Sequence, residues 1–269
     1  MAAVTGDATL ISDRSKSLIE MYSKFRQEFD ALPMRGRYMP YDWYTLPEAM
    51  SATLMPYTQM LQEQARELSN IINDLTNNVL RLRAWHEVTK GMSDQEKINA
   101  NHEFIGTLST VSLGQPYAIK SRFAYSVGHL SHQANRVKDG SDWVDDFPAK
   151  NLYLNGIDPF GKSWKRFRKV KRKIENIANS NFKSASEDYR NTYNHGFSVH
   201  ILLGQSRSVK RNVEVDGRIY DYAYGESEPL KLDVIANLLQ EECEKCYCAF
   251  EAYQALIREQ ITRITNASS

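Results

Sequence analysis

The chain is poor in the residues that would commit it to several common classes. Its 269 residues include only three cysteines. Cys243, Cys246 and Cys248 fall within six positions, an odd and local set that makes no disulfide framework and fits a reducing compartment. No apolar run reaches the length of a membrane span. Residues 1–7 lack the basic start and apolar middle of a signal peptide. Net charge is +1, so no global basic excess marks a general polyanion binder. There is no Walker-type loop, no GxGxxG and no GxSxG, which removes the support for NTPase, dinucleotide and serine-hydrolase chemistry. Internal repeats and low-complexity segments are absent as well. The expectation is a cytoplasmic globular protein without a membrane segment. At 42% hydrophobic and 25% charged residues it is long enough for one large core or two small ones.

What is present is mainly helical periodicity. Leu18, Tyr22, Phe25, Phe29 and Leu32 step by four and three, which predicts a helix over about residues 7–31. Pro33, Gly36, Pro40 and Pro47 break the pattern in an aromatic-rich connector. Leu54, Leu61, Ala65, Leu68, Ile72, Leu75, Val79 and Leu82 then keep heptad spacing, with Thr58 in the gap, and predict a long helix packed along a neighbour. Ser93 reads as an N-cap. Residues 94–112 and 117–138 read as two helices separated by Gly114-Gln115-Pro116. Residues 139–161 read as a loop, and helices come next at about 161–179 and 182–196. Residues 199–203 and 211–224 are β-rich, with Asp216-Gly217 a strong hairpin signal. A final helix spans about 230–265, with Leu239, Cys243, Cys246, Phe250, Tyr253 and Ile257 as its seam. The fold class is mainly α, with a small β-hairpin at about 199–224 before the last helix. Residues 1–115 form an N-terminal helical extension and residues 116–269 a helical bundle, possible also as one continuous domain.

Chemistry concentrates in Arg190-Asn191-Thr192-Tyr193-Asn194-His195. On one wheel of about 100° per residue, Phe182, Ala185, Tyr189, Thr192, Tyr193 and Gly196 share a side. Glu187, Arg190, Asn191, Asn194 and His195 share the other. A guanidinium binds phosphate in two places and stays cationic, and an imidazole exchanges protons near neutral pH. Together they suit a phosphodiester. The motif, arginine then a polar residue, three more and histidine, resembles the active-site motif of the HEPN superfamily. That resemblance implies a helical bundle, a homodimer with the two motifs facing one cleft, and metal-independent RNA cleavage without a cofactor. It implies Arg190, Asn191 and His195 as catalytic, with Glu187 and Asn194 supporting. It also implies a setting in toxin–antitoxin or antiviral defence systems, with an antitoxin or defence protein as partner. The alternative is a catalytically inactive HEPN-type module that binds RNA or assembles with another protein.

Other clusters compete with this motif for a functional role. Lys162, Lys165, Arg166, Arg168, Lys169, Lys171, Arg172 and Lys173 make a basic helix. It reads as an RNA-tracking surface, or as a solvated face. Its inner stripe reads Trp164, Phe167, Lys171, Ile174 and Ile177 or Ala178. His129 and His132 have metal-ligand spacing but no third ligand. Cys243 and Cys246 read as core. Asp139, Asp142, Asp145, Asp146 and Asp158 read as turn and cap residues that also lie against the basic helix. No metal is expected.

Overall fold

Apolar periodicity sets the architecture, and in the computed structural model nearly every periodic segment is helical. The structure describes residues 5–33, 37–48, 50–148, 152–206, 209–224 and 227–268. Helix α1 spans Thr5–Ala31, α2 Met55–Thr89, α3 Asp94–Ala100, α4 Gly106–Asp139, α5 Asp158–Gly161, α6 Phe167–Glu175, α7 Ser180–Ala185 and α8 Tyr189–His195. Strands β1, Val209–Val215, and β2, Arg218–Tyr224, pair antiparallel. Helix α9, Leu232–Ser268, ends the described chain. The protein is mainly helical, with one small two-stranded sheet ahead of its last helix.

The chain divides into two compact units, each drawn from three stretches of sequence. The first takes Met1–Arg35, Asn77–Leu113 and Lys183–Leu239. Its centre is an aromatic column. Phe25 stacks on Trp85 at 4.7 Å, and Trp85 stacks on Phe104 at 5.1 Å, both nearly parallel. The second unit takes Gly36–Thr76, Gly114–Phe182 and Gln240–Ser269. Tyr57, Leu61, Phe123, Phe250 and Tyr253 are fully buried there. Their polar atoms are satisfied inside the core. The Tyr57 hydroxyl donates to Gln260 Oε1 at 3.1 Å, and Gln260 Nε2 donates to Ser131 Oγ at 3.0 Å. Ser126 and Tyr253 share a hydrogen bond of 3.0 Å, Thr76 and Tyr247 one of 2.6 Å. Such bonds fix helix register, because a misplaced partner leaves a buried polar group unpaired.

Several local expectations hold. The heptad seam of α2 and the seam of α9 are buried as read, Cys243 and Cys246 included. Ser93 closes a capping box: its side chain accepts from Glu96 N, and the Glu96 side chain accepts from Ser93 N. Asp216 and Gly217 both have positive φ, the signature of the tight hairpin turn.

Others are corrected. Gly114-Gln115-Pro116 does not break a helix. The chain stays helical from Asp94 to Asp139, through a π-helical segment at Asn101–Ile105, with Pro116 inside α4. Burial of Ile105, Leu113, Ile119, Phe123, Val127 and Leu130 continues across the proline and carries the helix past it. Residues 199–203 are not a strand. Ile201 makes one isolated bridge to Leu230, and Leu202 turns to positive φ.

Candidate functional site

The predicted helix over 182–196 is two short helices with a break between them. Asp188 N donates to Lys183 O at 2.7 Å, and Glu187 N donates to Ser184 O at 3.0 Å. This pair of bonds is the Schellman ending of α7, and it places Glu187 at φ 54°. Asp188 comes next at φ 52°. Neither residue is glycine, so each left-handed conformation costs roughly 1 kcal/mol or more. Local contacts offset that cost. The Asp188 carboxylate lies 3.3 Å from Lys183 Nζ and accepts from Asn191 Nδ2 at 3.2 Å. The Asp188 carbonyl accepts from Thr192 N at 3.0 Å and from Thr192 Oγ1 at 3.1 Å.

Helix α8 then carries the motif. Tyr189 is buried, and its hydroxyl hydrogen-bonds Thr110 Oγ1 at 2.9 Å, which anchors the helix within its unit. Arg190, Asn191, Asn194 and His195 are all exposed. These four are brought together on seven residues of helix. Glu187 precedes α8 in the left-handed link, so one continuous wheel does not describe its placement beside Arg190. Asn191 is engaged through its amide by Asp188. The expected aromatic face is narrower than the wheel implied. Tyr193 is 56% exposed, its ring stacked on Tyr189 at a centroid distance of 5.9 Å, and Ala185 is exposed as well. The break at 187–188 rotates α8 relative to α7, so one continuous wheel misassigns both ends.

The basic helix lies in the second unit. The predicted helix over about 161–179 is shorter: residues 162–166 are turns and α6 begins at Phe167, while Gly161, Trp164, Phe167, Val170, Ile174 and Ile177 are the buried residues of the segment. Val170, not Lys171, holds the inner position. Lys171 is half-buried and bonds both oxygens of Asp158 at 2.7 Å. Lys162, Lys165, Arg166, Arg168, Lys169 and Arg172 are exposed, and Lys173 is half-buried. A shallow groove of about 570 Å³ runs among Asp158, Lys162, Lys165, Arg168 and Lys171. Both ends of the segment are pinned by complementary charge. The backbone N–H groups of Lys165 and Arg166 donate to the Glu259 carboxylate at 2.9 Å each. Lys120 Nζ donates to the carbonyls of Glu175 and Ile177 at 3.0 and 2.8 Å. A carboxylate at the start and an ammonium at the end both match the helix dipole. Burial lowers the pKa of Lys120 from its ordinary value, with Glu242 and Glu175 opposing. Glu242, fully buried, accepts from Ala178 N and pairs with Lys245.

The remaining clusters are structural in their contacts. His132 is buried and bonds Asp145 at 2.9 Å, with Trp143 and Phe147 against its ring. Asp145 therefore lies on His132, and Asp158 is the loop carboxylate found on the basic helix. Burial lowers the pKa of His129, whose ring stacks on Phe147 at 4.2 Å. Among the described residues no three His, Cys, Asp or Glu side chains gather as metal ligands. Burial pushes the Cys243 thiol up to about 12 and raises Cys246 strongly. Cys248 is half-buried. No described helix is long and apolar enough to cross a membrane.

Sequence reasoning missed the Lys183–Asp188–Asn191 cluster and the exposure of Tyr193 and Phe197. Only Gly196 hinted at the exposure of Phe197, since a helix that ends at a glycine releases the next residue from its packed face. Comparison with known proteins adds nothing to these residues: no family model, no curated protein and no solved structure matches the chain.

Proposed function

We propose that the protein is a metal-independent RNA endonuclease of HEPN type, with Arg190, Asn191 and His195 as its reacting set. The observation that carries the reading is the shared exposure of Arg190, Asn191, Asn194 and His195 on an anchored helix. Four polar groups face solvent from two turns, and a strained left-handed link leads into them.

The chemistry comes from the groups themselves. The ribose 2′-oxygen attacks phosphorus, its proton leaves to a base, and the 5′-oxygen departs with a proton from an acid. The products are a 2′,3′-cyclic phosphate and a 5′-hydroxyl. His195 is the group able to take and return those protons. Arg190 binds the phosphate and stabilises the charge that builds on it. Asn191, held by Asp188, orients the scissile group or His195. One histidine per motif leaves base and acid roles to be shared, and a homodimer with two facing motifs supplies a second. The exposed cations of α6 supply backbone contacts to RNA. Placement in a defence or toxin–antitoxin system, with an antitoxin as partner, belongs to the same proposal and rests on the family resemblance alone.

A second reading has one observation behind it. The β1–β2 hairpin leaves Ile219 75% and Tyr222 63% exposed, which suits an assembling module that need not cleave anything. End-group analysis of RNA fragments separates the two. Cyclic phosphate ends that vanish with His195→Ala support the nuclease, and intact RNA with both proteins supports the module.

A further inference from the structure

The first unit holds a pocket of about 230 Å³ that uses none of the motif residues. Two helix faces build it. On α2, Leu80, Arg83 and Glu87 step by three and four, and His86 adjoins them. On α9, Asp233, Ala236 and Asn237 share one face in the same way. Leu32 and Pro33, just past the end of α1, complete the wall. Arg83 Nη2 donates to Asn237 Oδ1 at 3.2 Å, which ties α2 to α9 and fixes the guanidinium plane. Glu87 already holds Lys90 at 2.6 Å. Asp233 differs: its Oδ1 is buried, and no protein group donates to it. A buried acceptor without a donor is costly, and an N–H group entering the pocket satisfies it.

We propose that this pocket binds a free α-amino acid with an aliphatic side chain. The ammonium sits on Asp233, the carboxylate on Arg83, and the side chain against Leu32, Pro33, Leu80 and Ala236. A guanidinium takes a carboxylate in two places and keeps its charge at any working pH. An ammonium supplies the N–H donors that the buried Asp233 oxygen lacks. A zwitterion meets both charges at once, whereas an amine or an acid alone leaves one of them unmatched. The size agrees. The pocket is smaller than the roughly 300–1,000 Å³ that holds drug-sized ligands, which suits an amino acid and excludes a nucleotide. The ribonuclease reading neither supports this inference nor depends on it.

Isothermal titration of the full chain tests the assignment. Leucine, isoleucine, valine and methionine are titrated in turn, and the tightest binder is then compared with its N-acetyl and amide derivatives, which lack one charge each. At least one of the four binds with a dissociation constant of about 1 mM or tighter. Removing either charge from the ligand weakens binding at least about tenfold, and so do Asp233→Asn and Arg83→Gln in the protein. Asp233→Asn no longer distinguishes the amino acid from its N-acetyl derivative, and Arg83→Gln no longer distinguishes it from its amide. Because no protein group donates to Asp233 Oδ1, Asp233→Asn leaves the ligand-free melting temperature level or higher, whereas loss of a structural carboxylate lowers it. Absence of binding by all four amino acids up to about 10 mM overturns the inference. So does equal binding of either derivative by the wild type, which reassigns the pocket to a simple acid or a simple amine and needs no folded variant to observe.

Discussion

Single residues carry most of what the sequence announced. Arg190, Asn191, Asn194 and His195 were legible as a polar set because their spacing brings them to one side of a helix, and they are exposed. Ser93 and Asp216-Gly217 were legible because cap and turn chemistry are local. Glu187 and Asp188 were not, because residues at positive φ are usually marked by glycine and neither is glycine. The cysteines give a prediction at this scale. The thiolate is the reactive form, and burial disfavours it at Cys243 and Cys246. Alkylation of the native protein at pH 8 should modify Cys248 at most, and unfolding should release the other two. The same shift sets a pH dependence. A folded pKa above the unfolded one contributes stability that is complete below the unfolded value, about 8.5, and declines as pH rises towards 12. The urea midpoint should be level from pH 7 to 8 and fall above about 8.5. Cys243→Ala should make that decline shallower; an unchanged slope would mean Cys243 ionises as freely as in the unfolded chain.

At the scale of elements, periodicity predicted which segments are helical better than where they end. The α2 and α9 seams were readable because many consecutive turns repeat one signal. Pro116 was misleading because a proline is a local veto, and the buried stripe on both sides of it outweighs the lost backbone bond. The short α7 and α8 were read as one because each has too few turns to show its own phase. Anchoring of α8 by Tyr189 is open to measurement. Tyr189→Phe removes the bond to Thr110 and should cost about 1 kcal/mol of stability, read as a lower denaturant midpoint. No change would show that the hydroxyl is equally satisfied by water. Seating of the basic helix has a sharper test. A Cβ on Gly161 would lie 2.1 Å from the Phe167 ring, so Gly161→Ala must displace a buried side chain. The expected loss is about 1–3 kcal/mol. A neutral result would mean that Phe167 has another place to go.

For the whole molecule, the mainly helical class and the hairpin before the last helix were legible, since each arises from patterns longer than one element. The division into two units was less so, because each unit gathers three distant stretches of chain and composition shows no linker between them. The central claim is the activity, and it is most directly tested by incubating the purified protein with RNA in excess EDTA, beside His195→Ala prepared identically. The expected result is cleavage by the wild type that EDTA does not diminish and a loss of at least about a hundredfold in the variant. Equal cleavage by the two proteins, or cleavage that EDTA abolishes, would contradict it.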